Sequence, residues 1–188
     1  MEGAMKKTYV VGVTGASGVV YGERLLEILC KEAKVHLIIS DTARDIARYE
    51  GVDLDRFRAV YHRTSDLSAE IASGSFRHDG MAVIPCTAKT LAAISNGYAD
   101  NLVTRAADVC LKEKRRCILV LREMPLSRIH LKNMLAADEA GATVMVASPG
   151  FYHRPQVVTD LVDMVVARVL DHLGVAQDLC PPWRGYDA

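Results

Sequence analysis

Gly15-Ala16-Ser17-Gly18 follows the β-branched run TYVVGV and opens a helix-like stretch. Small residues between a strand and a helix let a phosphate approach backbone N–H groups at the positive helix end. The spacing is neither GxGxxG nor a P-loop, because no Lys-Ser/Thr pair follows, so a tight βα turn with Ser17 as a plain N-cap accounts for it comparably well. A second such turn is Pro85-Cys86-Thr87-Ala88-Lys89-Thr90. Its Thr87 and Thr90 read as ligand or cap hydroxyls. Cys86 reads as packing, since a small thiol ending a buried strand with no His nearby in sequence is a poor nucleophile. Arg122 and Glu123 leave the strand CILVL directly, with Pro125 shaping the turn, and so project where an α/β site forms.

Other groups have a bland reading beside the chemical one. Glu50 ends the helix-like DTARDIARYE, where a carboxylate faces the negative end of the dipole; a solvated side chain is favoured there. Arg105, Asp108 and Lys112 share one helix face, as a surface ion-pair ladder would. The segment Pro149-Gly150-Phe151-Tyr152-His153-Arg154-Pro155 has the rigid turns and aromatic and basic groups of a lid or wall. Arg168 lies in the apolar VVTDLVDMVVARVLDHL, where helix periodicity places it on the surface.

These segments need a scaffold, and the sequence supplies strands alternating with helices. Buried-strand runs occur at 8–13, 35–40, 81–86, 117–122 and 142–148, each followed by a helix-like stretch. Such alternation implies right-handed crossovers and a mainly parallel sheet, with ligands beyond the carboxyl ends of the strands. The stretch 51–80 reads as a polar surface excursion, with a short helix-like segment near 67–72. A chain of 188 residues suits one domain, expected over 5–175 with a tail at 176–188. Met1-Glu2-Gly3-Ala4, ahead of Met5, is set apart from that fold.

Basic and acidic residues both number 23, so net charge gives no case for nucleic acid or an anionic membrane. Five cysteines without a CxxC argue against a disulfide framework or a zinc knuckle. The lack of a signal-like or spanning apolar run leads us to expect a cytoplasmic protein. Asp53-Leu54-Asp55 lies away from the strand ends, and the other acids are scattered, so no metal is expected.

In order, GVTGASGVVYGERLLE, ASGSFRHDGMAVIPCTAKTLAAISNGYADNLVTRAADVCLKEKRR, REMPLSRIHLKNML and GFYHRPQ resemble the UbiX-type flavin prenyltransferases over about residues 8–173. The resemblance implies a Rossmann-like αβα sandwich assembled as a homododecamer with flavin at subunit interfaces. It implies transfer of the dimethylallyl group of dimethylallyl phosphate to N5 and C6 of reduced FMN, the product serving a UbiD-type decarboxylase. Carried over residue by residue, Gly15, Ala16, Ser17, Ser40, Thr87, Ala88, Lys89, Thr90 and Arg122 match FMN contacts. Tyr152 and Arg168 match dimethylallyl phosphate contacts, and Arg105, Lys112 and Arg122 further positive positions of the phosphate pocket. Ser17, Glu50 and Glu123 match residues that handle protons. The chain departs from the family at Ala88, where Met is usual, which removes a thioether from beside the flavin ring. Trp183, in the tail Pro181-Pro182-Trp183-Arg184-Gly185, resembles a Trp expected near a neighbour's pocket.

Two rivals remain open. A flavin-dependent cysteine-type decarboxylase would carry an Asn-containing motif in place of Cys86 to Thr90 and an early catalytic His, whereas His36 lies inside a strand. A flavin carrier without catalysis would need no basic pocket.

Overall fold

The computed structural model describes residues 6–183 and 185; Met1 to Met5, Arg184 and residues 186–188 lie outside the described residues. Six strands, β1 (Thr8–Val13), β2 (Lys34–Ile39), β3 (Val60–His62), β4 (Gly80–Cys86), β5 (Cys117–Leu121) and β6 (Thr143–Val146), alternate with helices. The helices are α1 (Val19–Glu32), α2 (Asp41–Glu50), α3 (Ala88–Ser95), α4 (Leu102–Lys112), α5 (Arg128–Glu139) and α6 (Val158–Leu173), with a 3-10 turn at Glu70–Ala72. Every strand pairing is parallel, in the order β3-β2-β1-β4-β5-β6.

The near-continuous apolar runs of the central strands follow from this arrangement, because both faces of a parallel sheet are covered. Val11, Val13, Leu37 and Ile84 pack toward α1 and α6 on one face. Val10, Met81, Val83 and Leu119 pack toward α3 and α4 on the other. Arg24 of α1 grips Asp163 of α6 through two hydrogen bonds of 2.6 and 3.2 Å, registering the two helices of the first layer.

The strand order reverses between β1 and β4. The last paired residues there are Gly12 and Val83, and the β4–β5 register shifts between Val83 and Cys86, around Pro85, which has no N–H to continue a ladder. The strands therefore part at their carboxyl ends and leave a crevice at the topological switch point, the usual ligand position of this architecture.

The excursion is more structured than its composition implies: β3 extends the sheet from inside it. Three largely exposed residues carry no readable alternation, so β3 was silent in the sequence. It is held from behind by His36 of β2, which is fully buried. His36 Nδ1 lies 2.9 Å from His62 Nε2 and 3.5 Å from Glu70 Oε1, and its Nε2 has no partner. Burial, with smaller contributions from Lys34, His62 and His78 against an opposing one from Glu70, lowers the His36 pKa to about 4. A folded pKa below the unfolded value means the unfolded chain binds the proton first. Stability is then full above about pH 6.5 and falls as pH drops toward 4, by at most about 3 kcal/mol from this group. Urea midpoints between pH 7 and 4 are expected to fall more steeply in the parent than in His36→Gln; parallel profiles would remove His36 as the cause.

Candidate functional site

The switch-point crevice opens into a cleft of about 760 Å³ bounded by Gly15, Ser40, Thr87, Thr90, Tyr98 and Asn101. Three helices point their N-termini at it, each capped by a side chain. Ser40 Oγ accepts from Ala43 N at 3.1 Å at α2, and Thr87 Oγ1 accepts from Thr90 N at 3.0 Å at α3. Asn101 Oδ1 accepts from Val103 N and Thr104 N at α4. Converging N-terminal dipoles with hydroxyl and amide caps favour an anion, and Lys89 on the lining adds a full positive charge.

Gly15 is required by close approach: a Cβ there would lie 2.5 Å from Thr42 Cγ2 and 2.6 Å from Thr42 Cβ. The absence of a side chain lets the β1 turn and the first turn of α2 close one wall of the cleft. The volume falls in the range of cofactor pockets. A cleft of this size, with backbone cradled around a missing Cβ and three positive helix ends, fits a phosphate-bearing flavin.

At α1 the sequence reading is corrected twice. The N-cap is Gly18, with φ 90°, and Ser17 lies outside it, exposed, its carbonyl accepting from Arg122 Nε at 3.0 Å. Glu50 is not a solvated residue opposed by its own helix dipole. Its carboxylate accepts from Gly18 N at 2.9 and 3.1 Å and from Val19 N at 3.0 Å, so it caps the positive end of a different helix. The α1 N-terminus is thus engaged by the protein's own carboxylate, and the ends of α2, α3 and α4 remain for a ligand phosphate. Glu50→Ala is expected to cost about 1–2 kcal/mol, several degrees in Tm for a chain of this length, and Glu50→Gln less; unchanged melting in both would remove the capping role.

The remaining candidates fall into separate groups. Gly15, Ser40, Thr87, Lys89 and Thr90 line the cleft; Ala16 is buried behind it, and Ala88 is half-buried at the start of α3. Arg122 crosses the end of β4, with its N–H donating to Cys86 O, to reach the β1 turn; the half-buried Glu123 accepts from Met124 N beside it. Arg105 and Lys112 do not line their own chain's cleft. Arg105 donates to Ala72 O and to Asp108, and Lys112 pairs with Glu113, so only the Arg105–Asp108 part of the expected ladder forms.

Tyr152, on the loop before α6, and Arg168, on α6, both lie outside the cleft lining. The Tyr152 ring packs edge-on against Trp183 at 5.6 Å. Burial and then Cys180 raise the Tyr152 pKa, while Arg168 opposes them. Arg168 pairs with Asp171 at 2.7 Å and its side chain is half exposed, as helix periodicity implied. Cys86 is fully buried and its thiol is driven well above the ordinary range by burial, in line with packing.

Sequence reasoning included Thr14 in the turn at 14–18 without giving it a role, and missed Thr64, Tyr98 and Asn101 on the cleft. Asn101 was findable, since Asn-x-x-Thr ahead of an apolar run is a capping-box signal, and both bonds of that box form. Thr64 was not, because it arrives on the excursion, tied to α4 by Leu102 N donating to Thr64 O at 2.7 Å.

Residues 2–170 match the Flavoprotein family model. The chain is 47% identical over 186 residues to a protein of Methanothermobacter thermautotrophicus named flavin prenyltransferase UbiX, covering 96% of this chain and 97% of that one. It is similar to the crystal structure of AnUbiX in complex with FMN and dimethylallyl pyrophosphate, with TM-score 0.92, 40% identity and 96% and 99% coverage. It is also similar to a structure from Escherichia coli O157:H7 described as a dodecameric FMN-dependent UbiX-like decarboxylase, with TM-score 0.89, 45% identity and 95% and 100% coverage.

Proposed function

This chain belongs to the UbiX-type flavin prenyltransferases, and from that premise we propose that its cleft receives reduced FMN, to which the enzyme joins the dimethylallyl group of dimethylallyl phosphate. The observation that carries the reading is the convergence of three capped helix N-termini on a cleft at the switch point, next to the β1 turn that Arg122 reaches. When bound, the flavin supplies the nucleophilic positions N5 and C6 and a π face for the allylic group.

The chain's own work is to bind, to orient and to move protons. Gly15, Ala16, Ser17, Ser40 and the Thr87-Ala88-Lys89-Thr90 run hold FMN through backbone N–H groups, hydroxyls and one ammonium. The leaving phosphate needs fixed cations and donors, the role of Arg105, Lys112, Arg122, Tyr152 and Arg168. Glu123, with Ser17 and Glu50, handles the proton released when C6 is alkylated. Glu50 is suited to that region because its carboxylate is already anchored on the N–H groups beside Ser17.

Arg168 on α6 and Tyr152 on the loop before it do not line their own cleft, so they would serve a neighbouring subunit's site in a homododecamer, with Trp183 beside Tyr152. The reading takes the chain as one domain with a C-terminal tail, acting in the cytoplasm and delivering its product to a UbiD-type decarboxylase. No helix among the described residues is long and apolar enough to cross a membrane.

The test is turnover of reduced FMN and dimethylallyl phosphate to prenylated FMN. Activity is expected to persist in excess EDTA, because a monophosphate can be stabilised by these cations without a metal, and no group of three or more metal-binding side chains occurs among the described residues. Loss in EDTA with recovery on adding Mg²⁺ would overturn the metal-free account. Decarboxylation of a cysteine-terminated peptide without prenyl transfer would overturn the function.

A further inference from the structure

We infer that Thr14, to which the family resemblance assigns no part, is a positioning residue for the flavin site: its hydroxyl joins the parted ends of β1 and β4 and sets the Thr87–Thr90 cap. The inference rests on the flavin-site reading above. Thr14 directly follows β1 and is only 4% exposed. Its Oγ1 donates to Pro85 O at 2.8 Å and accepts from Thr87 N at 2.9 Å, while its own N–H donates to Pro85 O at 3.2 Å.

A hydroxyl has one proton to give, and here it is given to Pro85, so the lone pairs face Thr87 and the orientation is determined. The position matters because the backbone ladder cannot reach this point. The β1–β4 strand pairing stops at Gly12 and Val83; beyond it the Pro85 carbonyl still receives Thr14 N at 3.2 Å, but the Thr87 N–H has no strand partner. Thr87 is the N-cap of α3, so its N–H lies outside the helix and depends on an outside acceptor. The Thr14 side chain supplies that acceptor and gives the Pro85 carbonyl a second, shorter bond.

The arrangement continues into the cleft. With its backbone held, Thr87 accepts from Thr90 N at 3.0 Å, and its hydroxyl lies 2.9 Å from Thr90 Oγ1. Thr87 and Thr90 both line the cleft. A Thr14 side chain without its hydroxyl would leave the Thr87 N–H without its acceptor, and the Pro85 carbonyl with only the longer bond from Thr14 N, just where the crevice opens. The Thr87 turn would then move to find water, carrying the α3 N-terminus and both hydroxyls away from the flavin phosphate. Val is the near-isosteric probe, and Ser keeps the hydroxyl while dropping the methyl.

The experiment measures the FMN dissociation constant by flavin fluorescence, the apo-protein Tm, and turnover at saturating FMN, for Thr14→Val, Thr14→Ser, Thr87→Val and the double variant Thr14→Val, Thr87→Val. Val166→Ala, in the α6 core away from the cleft, controls for general destabilisation. Thr14→Val is expected to weaken FMN by roughly tenfold or more, with Thr14→Ser within about threefold of the parent. Val166→Ala is expected to lower Tm with FMN affinity unchanged. The double variant is expected to bind no worse than Thr87→Val, because the two residues act through one another. If Thr14→Val loses Tm like Val166→Ala but keeps the parental dissociation constant, Thr14 is structural only and the inference falls. If Thr87→Val and Thr14→Val both leave FMN affinity untouched, the flavin-site reading falls with it; a loss in Thr87→Val alone sinks only the part given to Thr14.

Discussion

Gly15→Ala is expected to weaken FMN binding by roughly a hundredfold and Gly15→Val to abolish it, because the smallest side chain already collides with Thr42. Contacts of 2.5 and 2.6 Å to Thr42 Cγ2 and Cβ cannot be relieved by a rotamer change, since Cβ itself is involved. The first turn of α2 must move, taking the Ser40 cap with it. The same substitution also adds bulk to the cleft wall, and the two causes need separating. Gly15→Ala with Thr42→Gly removes the collision and leaves the new methyl in place. Recovery of FMN affinity in that double variant assigns the loss to packing through α2, and persistent loss assigns it to exclusion of the ligand. Normal affinity in Gly15→Val itself would remove the β1 turn from the flavin site.

Arg168→Ala is expected to lower turnover by roughly a hundredfold while leaving FMN binding intact, as removal of a charge stabilising a leaving phosphate should. Tyr152→Phe is expected to act in the same direction with a smaller loss. Because neither Arg168 on α6 nor Tyr152 on the loop before it lines its own chain's cleft, the effect should complement between chains. A cleft variant, Thr87→Val with Thr90→Val, co-assembled one to one with Arg168→Ala should recover activity. If each site takes its cleft from one chain and Arg168 from another, about a quarter of sites in a random mixture are intact. Mixed oligomers no more active than the sum of the separate variants would place Arg168 outside the reaction or on its own chain's site.

Much of the scaffold could be read in the chain. β1, β2, β4, β5 and β6 fall on the apolar runs, and α2 spans the residues of DTARDIARYE. Their signals are local: a strand buried on both faces must be apolar at successive positions, and a helix ending at Glu50 announces itself through Gly51, whose φ is 72°. The elements that escaped are those whose burial is borrowed. β3 has too few residues for a period, and its attachment runs through the parallel pairing with β2 and the contact of His62 with His36, 26 residues away in sequence.

The site divides along the same line. Residue types and their places at strand ends, which local sequence determines, pointed to the turns at 14–18 and 86–90 and to Arg122 and Glu123 as the chemistry-bearing segments. Spacing could not say what Glu50 faces, because its partners belong to a helix begun 32 residues earlier, at Gly18. Nor could it put Tyr152 beside Trp183, or make Thr14 the bond between two strands 71 residues apart in sequence. A side chain's orientation depends on which backbone groups the neighbouring element leaves unpaired. Pairing is decided only when the sheet closes and its strands part at the switch point, so the chemistry was legible in the sequence while its geometry waited for the tertiary fold.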